Sequence, residues 1–140
     1  MMDKALKTLR AVQWTLLGSI FLYGLLGELV GRTARGIDPT VSYVFTTLGV
    51  AIVGVIFVVR RTLVWRAAES LANHPDDTLS LSHWRTGYFA TYGLCEALAL
   101  FGLVLRFLGC NFQQCVPYYI GGLVLLFFFR PQQPVRAANA

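Results

Sequence analysis

Long apolar runs separated by short polar or charged stretches dominate the chain, and they predict its elements before any motif does. Four runs stand out, at residues 12–30, 41–59, 87–108 and 112–129. The first three have the length that a helix needs to cross a hydrocarbon layer of about 30 Å. The fourth is shorter, because its purely apolar part starts only at Val116. In hydrocarbon the backbone must satisfy its own hydrogen bonds, so each run is expected to be a helix. The pattern therefore predicts an all-α, four-helix transmembrane bundle forming a single domain over residues 1–130. The polar, Pro-rich end "PQQPVRAANA" reads as a disordered cytoplasmic tail over 131–140.

The punctuation between the runs fits helix ends. In "IDPT", Asp38 can cap the second helix with Pro39 in its first turn. Pro117 falls early in the fourth helix, and Pro131 stops it after Arg130. The first run has a basic start but is too long for a signal core and lacks a small-x-small cleavage site. It reads as a retained first helix.

Composition agrees with the pattern. The 140 residues are 56% hydrophobic and 14% charged, both displaced from soluble globular averages in the direction of a membrane protein. The net charge of +5 lies at the flanks of apolar runs, not in one continuous patch, which argues against nucleic-acid binding. Lys4, Lys7, Arg10, Arg60, Arg61, Arg66, Arg85, Arg130 and Arg136 fall on one side of the predicted layer, and Arg32, Arg35 and Arg106 on the other. This asymmetry places both termini in the cytoplasm of a multi-pass protein of the bacterial inner membrane. Trp14, Trp65 and Trp84 fall at the cytoplasmic ends of helices, where indole rings favour the interface.

One carboxylate interrupts the third run. With the helix starting near Gly87, Glu96 lies about 14 Å deep. A carboxylate near the midplane costs at least about 2.5–3.5 kcal/mol on insertion scales. It can lower that cost by staying protonated, by pairing, or by facing protein. Tyr92 lies one helical turn earlier and is its candidate hydrogen-bond donor. Three roles stay open for Glu96: a buried helix contact, a proton or cation site, and a contact to a partner subunit.

The residues around Glu96 resemble a known arrangement. The stretch "RAAESLANHPDDTLSLSHWRTGYFATYGLCEALALFGLVLRFLG" (66–109) is similar to the cytoplasmic loop and second helix of the proteolipid c subunit of rotary ATP synthases. "NHP" (73–75) matches the loop, Glu96 the ion-carrying acid, and "ALALFGLVL" (97–105) the small-apolar run after it. The resemblance covers about a third of the chain and implies proton or cation transport through Glu96. The second helix here has only Gly49 and Gly54 where that family carries a glycine ladder, and a further helix lies on each side of the hairpin. The chain also resembles a poorly characterised bacterial family of four-helix membrane proteins with such a third helix and an "FRPxxP"-like ending. That resemblance implies no activity.

Other constellations bear on packing. Glu28 and Arg106 fall at similar depth near the outer ends of helices one and three, so they either pair or snorkel separately to water. Gly24, Gly27 and Gly31 form one small-residue stripe, and Ala90, Gly93 and Ala97 another. Either permits close helix approach, within the chain or between copies. Cys110 and Cys115 bracket "NFQQ" in the outer loop, as a disulfide in an oxidising compartment or as free thiols. Cys95 reads as a small apolar residue.

His74 and His83, beside Asp76 and Asp77, read as a solvated turn and not a metal or catalytic pattern. The sequence contains no nucleophile–base pair, phosphate-binding glycine loop or haem-attachment motif, so no enzymatic activity, metal or cofactor is expected. The expected partners are the lipid bilayer and the subunits of a membrane complex or further copies of the chain. Two functions stand at this point: a non-catalytic structural or accessory subunit, and a c-subunit-like carrier.

Overall fold

A computed structural model describes residues 2–31 and 36–134. Arg32, Arg35 and Arg136 of the charge asymmetry, and the tail from residue 135, lie outside the described residues. The described chain is helical and has no strand. Helix α1 runs Met2–Val30, α2 Pro39–Asn73, α3 Thr78–Leu108 and α4 Phe112–Phe128. The first three are long and apolar enough to cross a membrane, and α4 is a shorter apolar helix of 17 residues.

Ends of α2, α3 and α4 are set by identifiable chemistry. The Thr40 amide donates to Asp38 Oδ1 at 2.8 Å, and Pro39 occupies the first position of α2, where a missing N–H costs nothing. Gly109 closes α3 with φ 109°, a conformation that favours glycine. From there the Gly109 amide donates to Arg106 O and the Cys110 amide to Leu105 O, a Schellman closure. The Asn111 amide then donates to Gln114 Oε1 at 3.2 Å as α4 starts.

Two boundaries differ from the sequence expectation. The polar stretch at 60–86, read as a cytoplasmic loop, is almost wholly helical, and only His74–Asp77 turn the chain. Helix α2 continues to Asn73 through a π-helical segment, Arg60–Trp65, and α3 starts nine residues before Gly87, at Thr78. The reason is burial. Leu71 and Trp84 are 3% and 1% exposed, and they share one buried cluster with Leu6 and Leu9 of α1. An amphipathic face therefore extends past the purely apolar runs. Trp84 lies in this core, edge-on to Tyr88 at 4.9 Å, and not at a lipid interface, while Trp14 and Trp65 are exposed.

Helix α3 is central. It packs on α1, α2 and α4, whereas α1 and α2 do not pack extensively on each other. Its closest approaches use small residues. A Cβ at Gly102 would stand 3.0 Å from Tyr118 Cβ, and one at Gly122 2.9 Å from Cys95 O. Gly87 lies against Val64 and Leu63 of the π-helical segment. Gly27 and Gly31 face Arg106. Gly24 and Gly93, expected in the close-packing stripes, meet nothing within 4 Å, and Ala97 is half-buried. Residue spacing marked the stripes, but only the neighbouring helix decides which small residue is covered.

Candidate functional site

Two charged levels bracket the apolar part of the bundle. At one end Arg106 Nε donates to Glu28 Oε1 at 3.1 Å, and Arg106 Nη1 to Cys110 O at 2.9 Å. At the other end Arg60 lies beside Phe129 and Tyr88, with Arg10 and Arg130 at nearly the same height. Arg10 and Glu28 are 18 positions apart on one helix, or about 27 Å. That separation matches the hydrocarbon thickness.

Glu96 lies ten positions below Arg106, about 15 Å and hence near the middle of this layer. It is half-buried, and its Oε1 accepts a 2.6 Å hydrogen bond from the Tyr23 hydroxyl of α1. Tyr92, the donor expected from sequence, points elsewhere: its hydroxyl donates to the Phe129 carbonyl at 3.4 Å. Tyr23 reaches Glu96 from a higher level because helical side chains lean toward the N-terminus. The Glu28–Arg106 pair sets α1 and α3 in parallel register, which puts Tyr23 about five positions, or roughly 7 Å, above Glu96. A tyrosine side chain spans that height. Sequence reading missed Tyr23 because the register between two helices is not written in either one.

The lower level has its own polar chemistry. The last carbonyls of α4 have no helical partner beyond Phe128. Gln13 Nε2 of α1 donates to Leu126 O at 2.9 Å, and Tyr92 of α3 serves Phe129 O. The Arg60 guanidinium stands 4.0 Å from the Phe129 ring centroid and 5.3 Å from that of Tyr88. Its Nη1 is buried without a hydrogen-bond partner, so the aromatic faces supply its electrostatic stabilisation. Residues 131–134, assigned to a disordered tail, are held here: Pro131 is buried, and Gln133 Nε2 donates to Asp3 Oδ1 at 3.1 Å.

No disulfide bond joins Cys110 and Cys115 in the structure, but their thiols lie in contact, and both are buried, Cys110 at 2% and Cys115 at 0% exposure. The sequence placed them as an exposed pair in a loop. Instead, the turn after α3 folds Cys110 under Arg106, and Cys115 is already helical. Cys95 is buried against the Gly122 position of α4. His74, His83 and Asp76 are exposed. Asp77 is half-buried and caps α3, accepting from the Leu79 amide at 3.1 Å and from the Ser80 hydroxyl. No group of three or more His, Cys, Asp or Glu side chains that could hold a metal ion occurs among the described residues.

Chemically, the mid-layer pair offers one carboxyl and one phenol joined by a hydrogen bond between two helices. Compared with family models, curated proteins and solved structures, the chain matches none. The three long apolar helices make it a membrane protein by length and composition.

Proposed function

We propose that the chain is a non-catalytic integral membrane protein, a structural or accessory subunit of a bacterial inner-membrane assembly. In this reading all four helices cross the layer, and both termini and the α2–α3 turn face the cytoplasm. The observation that carries it is the Tyr23–Glu96 hydrogen bond, which uses the one mid-layer acid to fasten α1 to α3. The half-exposure of Glu96 supports the second reading, a c-subunit-like proton or cation carrier.

One pair of measurements separates them. A hydrophobic carbodiimide attacks protonated carboxyls in apolar surroundings. For a fastening contact, Glu96→Gln keeps an acceptor for Tyr23, so melting temperature and host growth stay near wild type and Glu96 is not labelled. Labelling of Glu96 that Na⁺ or raised pH suppresses, together with a growth defect in Glu96→Gln, would establish the carrier instead. The topology has a separate check. A thiol probe at exposed Asn73 reports the side on which the α2–α3 turn lies. An impermeant thiol reagent should label Asn73→Cys only after cells are permeabilised, and labelling in intact cells would invert the assignment.

A further inference from the structure

Along the seam between α1 and α4 lie two recesses that share Trp14, Leu17 and Phe127. The first, about 970 Å³, lies at the level of the lower charges, and Lys7, Arg10, Gln13 and Arg130 line it. Asp3 also lines it, and its Oδ1 is engaged by Gln133. Three cations against one carboxylate leave a surplus of two positive charges. The second recess, about 670 Å³, continues into the apolar layer past Gly18 and Phe21 of α1 and Leu123 and Val124 of α4. Trp14, 69% exposed, stands at their junction, the position that interfacial tryptophans occupy.

We propose that this seam binds one anionic phospholipid, its phosphate headgroup among Lys7, Arg10 and Arg130 and one acyl chain in the groove over Gly18. Charge selects the headgroup, because basic pockets between helices at a membrane surface recognise anionic lipid heads. Length selects the chain. Arg10 and Phe21 are eleven positions apart, about 16 Å, which is close to half of the roughly 30 Å hydrocarbon layer and so to one leaflet. Gly18 leaves the groove open: a Cβ there would meet nothing within 4 Å, so the space beside it is bounded by side chains of the seam and is not filled by protein. The inference rests on the helices lying in a bilayer and is independent of the role of Glu96.

The test uses the full chain in a zwitterionic detergent with phosphatidylglycerol or phosphatidylcholine added, read by native mass spectrometry and by melting. Wild type should retain one phosphatidylglycerol with a preference over phosphatidylcholine of about tenfold or more, as two surplus charges near a membrane surface imply. The triple variant Lys7→Gln, Arg10→Gln, Arg130→Gln should bring that preference to within about twofold. A control with Arg61→Gln and Arg66→Gln, exposed cations of α2 that do not line the seam, should keep it. Gly18→Leu fills only the groove, so it should melt as wild type without lipid yet lose retention of both lipids. Soluble glycerophosphoglycerol should not compete at equal concentration, since it lacks the chain. Equal retention of the two lipids by wild type, an unchanged preference in the triple variant, or full retention by Gly18→Leu would each overturn the site.

Discussion

Helices α2 and α3 are both long enough to span a membrane, and their burial runs opposite to their hydrophobicity. Helix α2 is the more apolar, yet only 11% of its most apolar window is buried, against 44% for α3. Val50, Phe57 and Val58 of α2 lie open at 58–68% exposure. What α3 buries includes Gly87, Thr91, Tyr92, Cys95 and Gly102. In water such an inversion would be ruinous, because burial there follows apolar area. In hydrocarbon the lipid tails solvate valine as well as protein does, so association depends on close packing and hydrogen bonds. Helix α3 is central because its small residues Gly87, Ala99 and Gly102 let neighbours approach closely, beside large buried side chains such as Trp84, Tyr88 and Leu105.

The largest effect that can break this comparison comes from filling a contact of α3. Gly122→Leu drives a side chain into Cys95 O and Ala99 Cβ across the α3–α4 seam. Overpacking of this kind costs about 1–3 kcal/mol, and more when backbone is the obstacle. Gly54→Leu on α2 meets nothing within 4 Å and should stay within about 0.5 kcal/mol of wild type. Unfolding of both variants in mixed micelles, followed by circular dichroism, compares them directly. Similar shifts in the two would mean that α3 is not the organising helix.

What was legible in the sequence follows the same physics. Hydropathy reports solvation by lipid, so the apolar runs reveal which segments suit the layer. It is silent where a helix leaves the layer and packs on protein, and so Leu71 and Ser80 fell in an expected loop and Trp84 at an expected interface. Local rules at helix ends were legible, as Asp38 and Pro39 illustrate, since a cap needs only its own few residues. Contacts between helices were legible only where charge and depth both pointed to a partner. Glu28 and Arg106 could be set level by counting rise from the helix ends. Tyr23 and Glu96 could not, because the tilt of a side chain along its helix enters, and Gly24 looked no different from Gly27. The buried guanidinium of Arg60 was also hidden. Its place among the topology charges gave no sign of the aromatic rings around it.

A smaller effect sharpens the comparison at the mid-layer contact. Tyr23→Phe removes the donor to Glu96 and keeps the ring. Hydrogen bonds between membrane helices are worth about 0.6 kcal/mol on average and up to about 1.7. Tyr43 on α2, 74% exposed, supplies the control, and Tyr43→Phe should leave micelle stability unchanged. A double-mutant cycle of Tyr23→Phe with Glu96→Ala assigns the loss to the pair. A coupling energy of zero would remove Glu96 from the forces that place α1 on α3.

The smallest effect concerns the two aspartates that start these helices, Asp38 for α2 and Asp77 for α3. Both carboxyls are held below the ordinary aspartate value of 3.8, Asp38 by its hydrogen bonds from Thr40, and Asp77 first by the Ser80 hydroxyl and then by the amides of Ser80 and Leu79 and the Ser70 hydroxyl. A lowered folded pKa means that the folded state favours the ionised form. The stabilisation is therefore complete above the unfolded value and is lost as pH falls through the folded one. Asp38 is exposed and Asp77 sits at a turn open to water on one side, so screening keeps each contribution small. They differ in reach. Asp38 serves one turn of a lipid-facing helix, whereas Asp77 joins Ser70 at the end of α2 to Ser80 at the start of α3. Melting temperature in a detergent without titrating headgroups should therefore fall as the pH drops below about 5, and Asp77→Asn should flatten that fall more than Asp38→Asn. An unchanged profile in Asp77→Asn would mean that the turn contributes nothing to holding the most exposed helix against the most buried one.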